Sequence, residues 1–565
     1  MTPGRWSDRA DATRHSFGAW SFTRVGDEIT DLAVDGTVLL RSVRAVVRDR
    51  DWATVPVTVA AATETASRLE LVLHHEGFGA RFDGVLRVRL DDGALVIDFD
   101  ALARADFDRN RIGLVVLHPP TVAGSPLAVH SAAGEQVETR FPIAIAPHQP
   151  ALDIAALEWP VGTLAARLDF AGDVFEMEDQ RNWTDASFKT YSTPLSEPFP
   201  VHVATGERIH QSIRVSATGG PGDVDAPLEP LRLVTLDATM PAIGIVASTA
   251  PDPLRPLEAV PADFLLVELD AGAANLVPAW QRALREAGDL PLDVRLVAGD
   301  EEELREAVAL LEGADVVRVA AFDRATHLSS PELDRGLRSL PAELIGGART
   351  HVTELNRGHE RLPDDLAGVT FSVTPQMHAQ ETRQVVESLP MQRRVVTDAL
   401  AIAAGRPLHV GPVSLRPRVN AVATTPPATE ADDLADGYGP EHVADSPDPR
   451  QASPALVAWT IASAAALARP GVASITFFET TGPRGVAGLP VAGALRALHA
   501  VSGRPLLDVV GTLPPLVSVL AVGSVDDPEL LIANLGDTPA HLALGDVMVP
   551  PLSAVRWRAG EATAV

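Results

Sequence analysis

The chain has 565 residues, 46% hydrophobic and 22% charged, with a formal net charge of −28 and no cysteine. Its length calls for two to four domains, and its composition is that of a folded globular protein. The acidic surplus argues against nucleic acid and anionic membrane as partners, since both need basic patches, and the missing thiols exclude disulfides, thiol catalysis and Cys-ligated metal.

Met1 to Asp8 contains no apolar signal-like core. From there to about residue 220 the sequence reads as strand after strand. Residues 28–34, 68–73 and 84–90 alternate apolar and polar side chains, and Asp35-Gly36, Asp83-Gly84 and Asp92-Gly93 offer hairpin turns. The expectation is a large antiparallel β-sandwich over residues 1–222. A Gly/Pro/Asp patch at 219–227 marks a boundary.

Beyond it, short apolar strands alternate with helical segments. The strands are expected at 242–247, 264–269, 293–297, 316–322, 348–354, 369–374, 408–413 and 474–479, with helices such as 276–287, 301–311 and 382–389 between them. Eight such alternations predict a (β/α)8 TIM-like barrel over 228–503. Residues 455–468, between Arg450 and Arg469, are too short to span a bilayer and read as a buried helix, so the expected location is the cytoplasm. The long acidic connection at 421–448 reads as a possible lid. Strands return at 517–522, 529–534 and 541–544, predicting a small β domain over 504–565. Nothing in the sequence signals an oligomeric state.

One lysine, Lys189, stands among 47 Lys+Arg. Arginine otherwise serves as the generic cation, so a surviving lysine points to a compact ammonium that a forked guanidinium cannot replace. It lies in residues 176–191 with Tyr191, one of two tyrosines. At the C-terminal ends of the barrel strands, where active residues gather, stand Glu268, Asp270, Asp323, Arg324, Glu354, Asn356, Arg357, Gln376, His378, Ser414, Arg416 and Glu479. Glu354 and Glu479 each end an expected strand, three strands apart, which suits paired acid and base work. The alternative is a structural ion pair for each, with Arg357 and Arg484. His378 is a candidate base or donor, or a satisfied core histidine. Trp183 offers an apolar face to a sugar-like ring, or simply packs. No serine-hydrolase elbow, zincin motif or nucleotide-binding glycine pattern occurs, and no spacing suggests a metal or other cofactor.

The run from Phe175 to Leu195, FEMEDQRNWTDASFKTYSTPL, resembles the D-apionate lactonase family. So do Leu117-His118-Pro119, Arg140-Phe141-Pro142 leading to Pro147-His148-Gln149-Pro150, and Thr353-Glu354-Leu355-Asn356-Arg357 after Gly346-Gly347. The resemblance covers the whole chain. It implies hydrolysis of the five-membered lactone of D-apionic acid, a small sugar lactone, in catabolism of the branched sugar apiose.

Lactone hydrolysis needs an activated water, a donor to the oxyanion and a proton for the departing ring oxygen. One of Glu354 and Glu479 is expected to take the water's proton and the other to protonate the alkoxide, with Lys189 or His378 stabilising the oxyanion. Asp185, Asn182 and Asn356 are expected to hold hydroxyls, Gln376 and Arg416 to make further substrate contacts, and Trp183 to lie beneath the ring. A retaining glycoside hydrolase using the same two glutamates, or a non-catalytic carbohydrate-binding protein, are the alternatives.

Overall fold

The structure is a computed structural model that describes residue 6 and residues 12–220, 229–255, 257–419, 421, 431–439 and 448–565. Most of the expected boundary patch and of the 421–448 connection lies outside the described residues.

Seventeen antiparallel strands, from Ala12–Phe17 to Arg208–Thr218, form one hydrogen-bonded network. Alternation builds it. In Ala80–Asp91, every second residue from Ala80 through Val88 is buried, and Phe82, Leu86 and Val88 join Phe99 and Phe17 in a single core. Asp35-Gly36 and Asp92-Gly93 turn as expected, all four residues with positive φ. Asp83-Gly84 does not turn. It lies inside Ala80–Asp91, paired with Leu102 and Ala101, and glycine is needed there because the Phe99 ring covers the position.

Eight parallel strands then close a barrel: Ala242–Val246, Phe264–Asp270, Leu292–Ala298, Val316–Asp323, Glu343–Gly347, Gly368–Val373, Leu408–Val413 and Val472–Glu479. The first pairs with the eighth. The fifth strand corrects the sequence reading: it ends at Gly347, and residues 352–358 form the helix Val352–Gly358 instead of strand. The helix expected at 382–389 runs through Pro390 to Ala403, because burial of Leu389, Val395, Val396 and Ala399 outweighs the missing proline N–H. Ala455–Leu467 is a buried helix, and no helix among the described residues is long and apolar enough to cross a membrane.

The C-terminal strands form a six-stranded sheet whose first member, Arg232–Thr239, comes from before the barrel and pairs with Pro505–Val510. The β-rich N-terminal domain packs on the barrel through two helices. Arg41 and Arg44 pair with Glu387 (2.5 Å) and Glu381 (2.9 Å), and Arg383 pairs with Asp31 (2.7 Å). The backbone N–H of Ile145 donates to Asp398 at 2.7 Å.

Candidate active site

The lysine sits on a hairpin whose register decides its neighbours. Phe175–Asp179 and Phe188–Tyr191 pair antiparallel, setting Glu176 opposite Tyr191 and Glu178 opposite Lys189. With a side-chain period of two, both pairs share one face. The Tyr191 hydroxyl donates to Glu176, and the Lys189 ammonium is ion-paired with Glu178 and lies 4.7 Å from the Tyr191 ring centre.

The turn between these strands is locked by Asp179, which accepts from the Arg181 backbone N–H and from its guanidinium at 2.7 Å. Arg181 is buried and also donates to the carbonyls of Pro142 (2.9 Å) and Ile143 (3.1 Å). This clamp explains why the Arg140-Phe141-Pro142 segment and the 175–195 run accompany one another. Thr184 closes the turn in the left-handed conformation, φ 69°, and Asp185 follows.

Asp185 is the point where the two domains meet. Its carboxylate accepts from His378 Nδ1 and from the Gln384 amide, both on the barrel side. Burial pushes the Asp185 carboxyl well above the usual carboxylate range, and Lys189 opposes the rise. Burial, then the charges of Lys189 and Arg48, hold the His378 imidazole well below its ordinary value, so it is neutral. Burial also pushes the Lys189 ammonium down, with Glu178 pulling it back. The structure therefore brings buried Lys189 and Asp185 and half-buried His378 into one electrostatic unit.

The other expected site residues are placed differently. Glu354 ends no strand; it is the third residue of Val352–Gly358 and accepts from the Thr350 hydroxyl at 2.5 Å and from the His351 backbone N–H. Burial raises its pKa. Arg357 does not pair with it closely, donating instead to the Pro147 carbonyl at 2.7 Å. Glu479 does end the eighth strand, but Thr249 donates to it through N–H (3.0 Å) and hydroxyl (3.1 Å), and Arg484 pairs with it at 3.2 Å. Among the described residues the two glutamates share no partner.

Asn182 and Asn356 spend their amides on each other and on the backbone. Asn356 Nδ2 donates to Asn182 Oδ1 and to the Ile145 carbonyl, each at 3.0 Å, and Asn182 donates to the Ala146 carbonyl at 2.6 Å. With Thr353 donating to the Asn182 carbonyl at 2.9 Å, they stitch the hairpin turn to the barrel. Gln376 and Arg416 are likewise occupied, both donating to Asp448, at 2.8 and 3.1 Å. Trp183 lies edge-on to His378 with ring centres 5.1 Å apart and has Arg357 over its ring, so it buttresses the histidine.

Sequence reasoning named Glu268 and Ser414 at strand ends but passed over other residues that line the narrow cleft at the barrel mouth, among them Arg349, His351, Thr374 and Arg418. Glu268, near the end of the second strand, binds Arg349 at 2.7 Å, with Arg418 at 3.6 Å. Burial pushes Glu268 up, but the two guanidinia outweigh it and hold the carboxyl at about 2. His351 is 5% exposed, and neither ring nitrogen has a hydrogen-bond partner among the described residues. Placing the fifth strand at 348–354 had hidden Arg349 and His351 inside it.

A closed parallel barrel with a polar mouth, against which a β-rich domain packs through Asp185, is an architecture common among enzymes. A model of the D-apionate lactonase N-terminal domain matches residues 3–220, and one of the D-apionate lactonase TIM barrel domain matches residues 245–520. A curated D-apionate lactonase from Brucella anthropi is 26% identical, over 91% of this chain and 89% of the relative. Among solved structures, a β-arabinopyranosidase aligns over 94% of this chain and 92% of its own at 11% identity and a TM-score of 0.29. An endoxylanase from Clostridium papyrosolvens C71 aligns over 55% and 86% at 8% identity and a TM-score of 0.34. Both likenesses are distant. The chain belongs to the D-apionate lactonase family and is a lactone-hydrolysing enzyme.

Proposed function

We propose that this enzyme opens the five-membered ring of D-apionolactone, or of a closely related aldonolactone, to the aldonate in apiose catabolism, with the Asp185–His378 pair activating water. The observation that carries this reading is the contact between those two side chains across the domain junction, beside Lys189. With Nδ1 committed to Asp185, His378 keeps Nε2 for a water, and being neutral it can accept a proton. The water oxygen bonds to the lactone carbonyl carbon as its proton passes to Nε2. The resulting imidazolium is stabilised by the Asp185 carboxylate. The acyl–oxygen bond then breaks, and the same proton moves to the departing ring oxygen, giving a hydroxy acid that ionises in water.

Lys189 acts here through charge: it favours the carboxylate form of Asp185 and the neutral form of His378. The two-glutamate glycosidase reading finds no support, since Glu354 holds a helix start and Glu479 is engaged by Thr249 and Arg484. A pH-stat screen against a panel of aldonolactones tests the substrate. Asp185→Asn, which keeps the shape but cannot stabilise an imidazolium, should lower kcat by ~100-fold or more. Wild-type turnover by that variant would remove the pair from the mechanism.

A further inference from the structure

Asp185 has two carboxylate oxygens, and only one of them faces His378. Oδ2 meets His378 Nδ1, while Oδ1 accepts from the side-chain amide of Gln384. Gln384 is buried, the third residue of the helix Thr382–Ala403. Its own oxygen faces a cation, accepting from Arg41 Nη2 at 3.5 Å. That contact decides which way the amide points. Turned over, the group would set its NH2 against the guanidinium and its carbonyl against the carboxylate, two repulsive contacts in a buried place.

Arg41 is buried too, and it is fixed by Glu387 at 2.5 Å, with Ser42 at 3.4 Å and Glu28 at 3.5 Å. The resulting relay crosses the domain junction at every step. Arg41 stands on the N-terminal strand Thr37–Asp49, Gln384 on a barrel helix, Asp185 on the N-terminal turn, and His378 after the sixth barrel strand. Asn182 and Asn356 stitch the same junction, but they bond to each other and to backbone carbonyls. Gln384 instead donates to the ionisable group itself.

The protonation state of the pair is what such a donor controls. A proton on Asp185 would sit on Oδ2 and donate to Nδ1, leaving the imidazole hydrogen on Nε2 and no lone pair there for water. A carboxylate accepts from Nδ1–H and leaves Nε2 bare. An amide N–H on Oδ1 favours the carboxylate, because it binds the charged acceptor more strongly than the neutral acid. Burial pushes the Asp185 carboxyl up; Lys189 opposes the rise, Glu178 adds to it, and Arg41 and Gln384 oppose it. Burial, then Lys189, Arg48 and His351, push the His378 imidazole down. Gln384 is uncharged, so replacing it alters a hydrogen bond without removing a charge from this set.

We propose that Gln384 is the positioning residue of the pair: its amide holds Asp185 as a carboxylate turned to His378 Nδ1, and so keeps Nε2 unprotonated and open to water. The proposal rests on the reading of the site given above and names the group that selects its working protonation state.

The test uses the full-length enzyme and the fastest substrate of the aldonolactone panel, with kcat and KM measured from pH 5 to 9 and thermal melts in parallel. Gln384→Met keeps length and bulk but cannot donate. Its acid limb of kcat/KM should move up by about one pH unit. Its plateau kcat should fall ~10-fold with KM within ~2-fold, since both ends of the amide are spent inside the protein. Gln384→Glu keeps the contact to Arg41 and sets a second carboxyl against Asp185, so it should displace the limb further still. A readout free of substrate is NMR of isotope-labelled imidazole nitrogens, with the His378 signal assigned by its loss in His378→Gln. Nε2 should take up its proton about one pH unit higher in Gln384→Met than in wild type.

A folded Gln384→Met enzyme whose acid limb and Nε2 titration both stay at the wild-type pH would overturn the proposal, because a merely structural amide lowers the melting temperature and moves neither. A shifted Nε2 titration with an unmoved limb would keep Gln384 as the positioning residue and remove the pair from the reaction. If Asp185→Asn is inactive while both Gln384 variants keep wild-type pH profiles, the inference fails alone. If Asp185→Asn turns over normally, the reading beneath it fails too.

Discussion

Replacing Lys189 with Met removes the ammonium that is paired with Glu178 and acts on Asp185 and His378. An opposite charge at close range lowers a carboxyl pKa by roughly 1–3 units, so its loss should raise the Asp185 pKa by that amount. Each unit corresponds to about 1.4 kcal/mol between the two protonation states. The working form of Asp185 is the carboxylate, so activity is lost as pH falls through its pKa. Raising that pKa therefore moves the acid limb of kcat/KM to higher pH, by about 1–3 units. His378 shifts in the same harmful sense, since losing a neighbouring cation raises its pKa towards the ordinary value.

Stability must be separated from this. Lys189 and Glu178 are each about nine-tenths buried as side chains, and stranding Glu178 should cost roughly 3–5 kcal/mol. The double variant Lys189→Met with Glu178→Gln leaves no unpaired charge and should recover most of the lost melting temperature. Its acid limb should be displaced less than in the single variant, because Glu178, which raises the Asp185 pKa, is neutralised as well. A pH-stat profile from pH 5 to 9, with thermal melts in parallel, reads both quantities. A folded Lys189→Met single variant with the wild-type acid limb and wild-type kcat/KM would show that Lys189 tunes nothing in the reaction.

Two further outcomes follow from charges outside the proposed chemistry. Glu479→Gln breaks a buried pair with Arg484, so it should lower the melting temperature while leaving kcat within ~3-fold on the aldonolactone substrate; a 100-fold loss at full folding would return Glu479 to the catalytic set. Asp334, on the helix Pro331–Leu337, is fully buried with neither carboxylate oxygen partnered among the described residues, and burial pushes it up to about 7. A raised carboxyl favours folding when protonated, so the protein loses stability as pH rises through about 7. Asp334→Asn should therefore gain about 4 kcal/mol over wild type at pH 8, roughly 2 at pH 5 and little at pH 3, in paired denaturant titrations. An equal gain at all three pH values would point to packing instead of charge.

Much of the architecture was legible because it rests on local pattern. Period-two strands with Asp-Gly turns announced the β-rich domain, and the barrel rhythm emerged from apolar runs alternating with helices. The fifth strand was missed for a physical reason. Residues 348–354 include two threonines and a valine, which imitates a strand. The true strand, Glu343–Gly347, ends in two glycines of low strand propensity. Gly347 is required because its φ is +142° and a side chain there would collide with the Thr370 backbone, a demand set by barrel closure that a single strand's composition does not reveal. Likewise Gly84 reads as a turn until the ring of Phe99, fifteen positions away on the neighbouring strand, is seen to need the space.

The site was legible in identity more than in assignment. Lys189 was conspicuous by rarity, and its hairpin register makes Glu178 its partner. What one-dimensional reading cannot show is which polar groups satisfy each other. Asn182, Asn356 and Trp183 suggested sugar contacts, yet they form the seam that fixes the hairpin against the barrel helix. That seam has a functional consequence. A pair assembled from two domains works only if their relative position is held to a fraction of an ångström, since hydrogen-bond geometry decays steeply with distance and angle. In the proposed mechanism, occupied amides at the junction serve the reaction by holding Asp185 on His378.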